Sequence, residues 1–353
     1  MRDDSHRDTR RRFEQWARNP TCQANTLSAV HNVPMTDVAA REGALPSMGQ
    51  SPFAIARGQS FERALFRSQA ESLFEALKAS GVVPGNASGL ADLRLRMNGG
   101  RLHSLDDARS GTSDLLRDLA SGRRGVSRPW LVAGATVRIP GGVMLPEAIL
   151  VLDTLVIDHS TKPCTLTVGE IKTYPDRGGY TDPQELATAR AQAGVYVHGL
   201  DLVLDELGLH DHFRVSLTGF LVLSRPGFNR PSIRAGEDLR YQAERAKRGF
   251  ALLRQAAQGL PPGSGRAGIE EIVAAPINYS ETCLMYCDRT SVCRKKALAE
   301  GNGAVLGDDV ARFLGSVPLH RALALMGGGS PVTEAERDLQ RRIEEMETLR
   351  SLP

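Results

Sequence analysis

Three side chains in the middle of the chain have the types and spacing that hydrolytic chemistry needs. Asp153 sits in the apolar run "ILVLDTLVI", and Glu170 and Lys172 sit in "VGEIKTYPDRGGY". In an extended strand alternate residues share a face, so Glu170 and Lys172 project together while Ile171 turns toward a core. A single carboxylate inside an apolar strand is costly unless it faces a site or a partner, which marks Asp153. If the strands carrying Asp153 and Glu170 pair as a hairpin, their carboxylates converge at one end of it. With the Ile171 carbonyl they form a hard oxygen set suited to Mg2+ or Mn2+. A lysine beside that set can position or help deprotonate a water and offset phosphate charge, which is the equipment of metal-assisted phosphodiester hydrolysis. Asp158 is a rival for the Asp153 role, lying 12 rather than 17 positions before Glu170, but it opens the polar turn "DHSTKP".

An E-x-K triplet by itself is as readily a solvated rung of a strand. Lysine usage adds weight here. Six of the 44 basic residues are lysine (78, 162, 172, 247, 295 and 296) and the other 38 are arginine. In a chain that writes Arg so freely, a lysine signals that an ammonium on a flexible stem is wanted.

A second constellation is made of thiols. "ETCLMYCDRTSVCRKK" places Cys283, Cys287 and Cys293 in a C-x3-C-x5-C pattern, and Cys22 lies 261 positions upstream of the first of them. Three cysteines in eleven residues of a chain with five in all point to a metal or cluster rather than to buried hydrophobes. Four thiolates suit zinc and iron–sulfur alike. Cys164, after a proline in a turn, fits no ligand pattern. Arg289, Arg294, Lys295 and Lys296 form a local basic group available to phosphate.

The elements that must hold these groups read as a mixed α/β core. Residues 1 to 50 are polar, with a helical stretch around Phe13 to Arg18. A helix is expected from about Ser60 to Gly81, with Phe61, Leu65, Phe66, Leu73, Phe74 and Leu77 at helical spacing. Short helices are expected near 88 to 96 and 104 to 120 in a Gly/Ser/Arg/Asp-rich segment. Strand candidates follow at 130 to 139, 148 to 158 and 165 to 174, separated by "PGGVMLP" and "HSTKP". Then come a helix over 183 to 206, a strand over 214 to 224, a basic helix over 236 to 259 and the flexible "GLPPGSG". "HDH" at 210 to 212 reads as a polar turn. "YPDRGGY" after the triplet reads as a mobile turn in which Arg177 meets a substrate backbone. After "MGGGSP", Thr333 and Glu336 form a capping box, and Ala335, Leu339, Ile343, Met346 and Leu349 form an apolar stripe. The stripe suits either self-association or packing back on its own domain.

Bulk composition narrows the field. The chain has 353 residues, 41% hydrophobic and 24% charged, and its net charge of +3 is too small to imply a polyanion partner by itself. The start lacks the apolar core of a secretory signal, and no run reaches the length of a membrane span, so a cytoplasmic protein with no membrane partner is expected. There is no G-x-x-x-x-G-K-[ST] phosphate loop.

Taken together, "GQSFERAL" with Glu62, "LVLDTLVI" with Asp153, "GEIK" with Glu170 and Lys172, and "QAGVY" with Gln192 and Tyr196 resemble the PD-(D/E)xK nuclease superfamily, within it the RecB-like branch. That branch places a Glu or His on a first helix, the metal-binding Asp on one strand, the D/E-x-K on the next, and Q-x-x-x-Y on a following helix. Residue 152 is Leu, so the proline that ordinarily precedes the Asp is missing, and His103 is a weaker alternative to Glu62. The resemblance implies a restriction-endonuclease-like mixed sheet flanked by helices, with Asp153, Glu170 and Ile171 holding Mg2+ or Mn2+. It also implies that Glu62 assists, that Lys172 positions the water, and that Gln192 and Tyr196 orient the lysine or the phosphate. One distant cysteine and a C-terminal triplet further resemble the iron–sulfur staple of AddB-type and CRISPR adaptation nucleases, although their usual triplet is C-x2-C-x5-C. Cys22, Cys283, Cys287 and Cys293 would then hold an iron–sulfur cluster of the 4Fe–4S type, with zinc as the alternative.

The expected organisation is an N-terminal segment over 1–57 carrying Cys22, a RecB-like core over 58–300 with an insertion at 82–128 and the cysteine triplet at its end, and a helical tail over 301–353. The expected function is a metal-dependent DNA nuclease acting on single strands or ends, in repair or phage defence, partnered by a separate helicase or defence-complex subunit. The competing expectations are a non-catalytic DNA-binding or assembly module and a zinc-stapled restriction-type endonuclease.

Overall fold

The computed structural model describes residues 9–31, 33–44, 52–94, 97–98, 101–102, 105–123, 125, 127–139, 148–226, 228–258, 268–280 and 282–351. His103, "PGGVMLP" and "GLPPGSG" lie outside the described residues. In chain order the elements are α1 (Thr9–Arg18), α2 (Gln23–Val30), α3 (Met35–Arg41), α4 (Pro52–Leu65), α5 (Glu71–Ala79), β1 (Leu90–Asp92), β2 (Met97–Asn98), β3 (Arg101–Leu102), α6 (Leu105–Ala120), β4 (Leu131–Ala133), β5 (Thr136–Ile139), β6 (Ala148–Val151), β7 (Thr154–Asp158) and β8 (Cys164–Pro175). They continue with α7 (Pro183–Leu207), β9 (Phe213–Val215), β10 (Thr218–Arg225), β11 (Phe228–Asp238), α8 (Arg240–Gln258), α9 (Gly268–Ala274), α10 (Cys283–Tyr286), α11 (Thr290–Glu300), α12 (Asp308–Leu314), α13 (Leu319–Met326) and α14 (Glu334–Ser351).

The chain divides into two compact units, one of residues Met1–Glu14 and Gln50–Ala257, the other of Gln15–Gly49 and Gln258–Pro353. The cysteine triplet therefore belongs with the N-terminal segment and the tail, and the α/β core ends before it.

The first unit is mixed α/β. Among its described residues seven strands form one sheet in the order β1-β4-β7-β8-β10-β11, with β9 also paired to β8. β7 and β8 pair antiparallel, from Thr154 opposite Gly169 to Asp158 opposite Thr165. β8 and β10 pair parallel, and α7 is the crossover between them. α7 is a well-specified helix. Asp182 caps it by accepting from the Gln184 and Glu185 amides, Pro183 fills its first position, and Gly208 ends it in the left-handed conformation. One face of the sheet is covered by Phe61, Leu65, Leu73, Phe74 and Leu77, which pack with Leu131, Val156, Phe220 and Val222. Leu186 and Ala189 of α7 pack with Leu221 and Leu223 of β10.

Several elements differ from expectation. The helix expected over 60–81 begins at Pro52 and is broken by a 3-10 turn over Arg67–Ala70, where Ser68, Gln69 and Ala70 take φ of 48°, 58° and 60°. Such a conformation costs about 1–2 kcal/mol per non-glycine residue. The break lets Phe61, Phe66, Ala70 and Phe74 enter one core cluster, and their burial offsets that cost. The strand expected over 148–158 is interrupted at Leu152 and Asp153. Its first half, β6, pairs with β5 in a separate two-stranded sheet, and its second half, β7, enters the main sheet. Asp153 thus sits at a strand break and not inside a strand. Residues 90–92, expected to be helical, form β1 parallel to β4, and β11 occupies a stretch in which no strand was expected.

The second unit is helical among its described residues. α2, α3 and α9 enclose Ala24, Leu27, Met35, Val38 and Ile272. In the tail, Leu339 and Ile343 of α14 pack with Leu314, Val317, Ala322 and Leu325, so this part of the apolar stripe is used within its own unit. Thr333 accepts from the Glu336 amide at 3.2 Å as the capping box requires, and the Glu336 carboxylate accepts from Arg321, the Val332 amide and the Thr333 amide. No helix among the described residues is long and apolar enough to cross a membrane.

Candidate active site and cysteine pocket

The antiparallel pairing of β7 and β8 ends at Thr154 opposite Gly169, so Asp153 and Glu170 are the residues next to its last pair. Gly169 is needed at this point, because a Cβ there would fall 2.2 Å from the Phe220 ring and 2.5 Å from Thr154. The Asp153 carboxylate accepts a hydrogen bond of 2.9 Å from the Ile171 amide. Amide and carbonyl of one strand residue lie on the same edge, so the Ile171 carbonyl faces the side on which Asp153 stands. Glu170 is fully buried, and Lys172 Nζ lies 2.5 Å from its Oε1. Asp158 is at the far end of the pairing and accepts from the Ser160 amide and hydroxyl, as the cap of a turn.

Glu62, on α4, lies close enough to Asp153 for the two carboxylates to act on each other. Burial first and the neighbouring Asp153 second push its carboxyl above the ordinary carboxylate range, while Arg94 pulls it down. Arg94 is a member of the cluster that the sequence did not reveal. Its guanidinium lies 3.5 Å from Glu62, forks onto Asp92 at 3.0 and 2.7 Å, and stacks 4.1 Å over the Phe66 ring. Gln192 and Tyr196 follow on α7. Tyr196 is fully buried, and Gln192 has a buried Oε1 with no hydrogen-bond partner among the described residues. Burial keeps Tyr196 from touching phosphate directly.

The loop after β8 is tied down, contrary to the mobile turn expected. Arg177 and Tyr180 form an antiparallel bridge with amide-to-carbonyl bonds of 2.8 and 3.4 Å. Gly178 and Gly179 between them take φ of 68° and 93°, the pair of positive angles a type I′ turn demands. Buried Asp176 accepts from the Gly179 amide at 2.8 Å and from the Ser232 hydroxyl, and Arg234 donates to the Gly179 carbonyl at 2.9 Å.

In the second unit Cys22, Cys283, Cys287 and Cys293 line one small pocket of about 20 Å3, together with Met35, Ile277, Asn278, Tyr279 and Arg289. Burial pushes the Cys287 thiol up to about 12 and the Cys293 thiol up to about 11, with the other cysteines adding to the shift. Thiols so placed ionise only against a compensating cation. Asn19 Nδ2 and the Ser280 amide point at Cys283 Sγ from 3.3 and 3.4 Å, as donors to a ligand sulfur would. The donor set fits a thiolate-bound group, although no three His, Cys, Asp or Glu among the described residues form a ready-made single-ion site. Arg289 is not available to phosphate. It is 2% exposed and binds both Glu42 oxygens at 2.6 and 2.8 Å and the Ile272 and Val273 carbonyls. Arg294, Lys295 and Lys296 are exposed. Cys164 begins β8 in the first unit, whereas the other four cysteines belong to the second. His210 of "HDH" pairs with Asp205 at 2.8 Å in a surface turn.

Comparison with protein-family models, curated proteins and solved structures found no match to this chain.

Proposed function

We propose that the first unit is a metal-dependent nuclease with a PD-(D/E)xK, RecB-like core, hydrolysing phosphodiester bonds in single-stranded DNA or DNA ends. The observation that carries the reading is the hydrogen bond from the Ile171 amide to Asp153 beside the buried Glu170–Lys172 pair. It brings the two carboxylates, a strand carbonyl and the ammonium to one end of one hairpin. Asp153, Glu170 and the Ile171 carbonyl would hold Mg2+ or Mn2+, which when bound supplies Lewis-acid polarisation and a water of lowered pKa.

The chain's own residues do the rest. Lys172, whose Nζ lies 2.5 Å from Glu170, would position the water and offset phosphate charge, and Glu62 would add a carboxylate near Asp153. Arg94 pairs with Glu62 and Asp92 and limits repulsion among Glu62, Asp92 and Asp153. Gln192 and Tyr196 on α7 would orient the lysine or the phosphate. In the second unit Cys22, Cys283, Cys287 and Cys293 would hold an iron–sulfur cluster, with zinc the alternative, as a structural group. A helicase or defence-complex partner and a cytoplasmic location belong to the same proposal.

The test is digestion of end-labelled single and double strands with Mg2+ or Mn2+. Cleavage by wild type and none by Lys172→Ala supports the reading. Binding without cleavage under both metals would assign the core to a DNA-binding scaffold instead.

A further inference from the structure

The hairpin that follows β8 presents an exposed aromatic side chain and an arginine side by side. Tyr180 is 63% exposed in a chain whose aromatic content is 5%. It is bridged to Arg177, and cross-strand partners in such a pair project from the same face. Arg57 enters the same neighbourhood from α4. It donates to Thr173 Oγ1 at 3.4 Å, and both Arg57 and Arg177 act on the Glu185 carboxylate in the first turn of α7. Thr173 is the residue after Lys172, so the two arginines and the tyrosine adjoin the strand end that carries the proposed chemistry.

The construction of the hairpin is the second observation. Exposed loop tips ordinarily lie at the mobile end of the stability range. This one is fixed five times over: by the two bridge bonds, by the two contacts of buried Asp176, and by the bond from Arg234 to the Gly179 carbonyl. Arg234 is itself held by Glu237 at 3.2 Å, and Glu237 also takes Arg190 of α7. The two-glycine turn has no side chain at its tip, which leaves room for a planar group against the tyrosine ring.

We infer that the Arg177–Tyr180 hairpin is a substrate clamp that stacks one unpaired nucleobase on Tyr180 while Arg177 and Arg57 contact the adjoining phosphates. The inference rests on the nuclease reading for its substrate class and deepens it, since it selects single strands over duplex. A base paired within a duplex has no free face for the ring, whereas every unpaired base has one. Two sources share this chemistry, single-stranded DNA and single-stranded RNA, and the test separates them.

The full-length protein in EDTA is titrated against end-labelled oligothymidylate, oligouridylate and a blunt DNA duplex at fixed salt, followed by fluorescence anisotropy. Loss of a stacked base corresponds to roughly five- to hundredfold in affinity, so Tyr180→Ala is expected to weaken oligothymidylate binding by that factor, with Tyr180→Trp close to wild type. Duplex binding is expected to change less than twofold. Because the Tyr180 side chain is exposed, an unchanged melting temperature for Tyr180→Ala shows that folding is not the cause. Photocrosslinking of an iododeoxyuridine oligonucleotide is expected to label the peptide containing Tyr180. A loss confined to oligouridylate would keep the clamp and assign it to RNA. Tyr180→Ala that binds single strands like wild type, or loses duplex and single strand equally, overturns the inference, as does crosslinking only elsewhere. Binding that depends on Tyr180 in a protein that cuts nothing with either metal would sink the nuclease reading and leave the clamp standing. Cleavage indifferent to Tyr180 would do the reverse.

Discussion

The Asp153 carboxylate is bonded to the Ile171 amide at 2.9 Å, which locks the residue at the break between β6 and β7 onto the strand that carries Glu170 and Lys172. Asp153→Asn can still accept that bond through its amide oxygen, so the fold is retained while the charge is lost. Mn2+ affinity, measured by calorimetry on the folded variant, is expected to fall at least roughly tenfold, the loss typical even of residues outside the ligand set, and cleavage is expected to fall with it.

Lys172 and Glu170 form a buried pair at 2.5 Å, Glu170 with no exposure and the lysine side chain 16% exposed. Removing one partner leaves the other charge buried and uncompensated, at a cost of about 3–5 kcal/mol. Lys172→Met should therefore lower stability in urea by that order, and adding Glu170→Gln should restore a large part of it. Activity is expected to stay absent in the double variant, which separates the chemical role of the pair from its structural one.

Much of this site was legible because strand chemistry is short-range. Glu170, Lys172 and Asp153 lie on β8 and at the end of its hairpin neighbour, and the alternation of residues predicts which side chains share a face. α7 carried its own cap, first-turn proline and terminal glycine in sequence. Arg94 was not legible, because its partners Glu62 and Asp92 and the Phe66 ring are brought to it by β1, a three-residue strand in a segment without hydrophobic period. The break at Leu152 and Asp153 was hidden for a related reason. β6 and β7 are both apolar and read as one run, and only pairing with different sheets divides them. Arg289 looked like a surface cation beside two lysines, and its burial against Glu42 depends on a residue 247 positions away.

In the tail, Arg321 binds Glu336 at 2.7 and 2.9 Å and the Val332 amide adds a third bond. Arg321 first, and that amide second, hold the Glu336 carboxyl at about 2, below its ordinary 4.5. A depressed carboxylate contributes stability above its ordinary value and loses it as pH falls toward the depressed one. Protection factors for hydrogen exchange in α14, corrected for the intrinsic rate at each pH, should accordingly fall between about pH 4.5 and about pH 2 in wild type. Glu336→Gln should be looser at neutral pH and show a flatter dependence across that window.

The four cysteines of the second unit predict a metal analysis. Protein purified without oxygen should contain iron and sulfide and show a visible charge-transfer band, and alanine at 22, 283, 287 or 293 should abolish the band and lower the melting temperature. Cys164→Ala should keep both. A colourless preparation with stoichiometric zinc would replace the cluster by its alternative without touching the site at Asp153.

The proposed chemistry sits at the end of one hairpin, and end-labelled single-stranded DNA tests it most directly. Wild type is expected to release labelled fragments with Mg2+ or Mn2+ and none in EDTA, while folded Glu170→Gln and Lys172→Met/Glu170→Gln proteins are inert under all three conditions. Equal cleavage by wild type and these variants, or none by wild type with either metal, would contradict the assignment of Asp153, Glu170 and Lys172 to a catalytic centre.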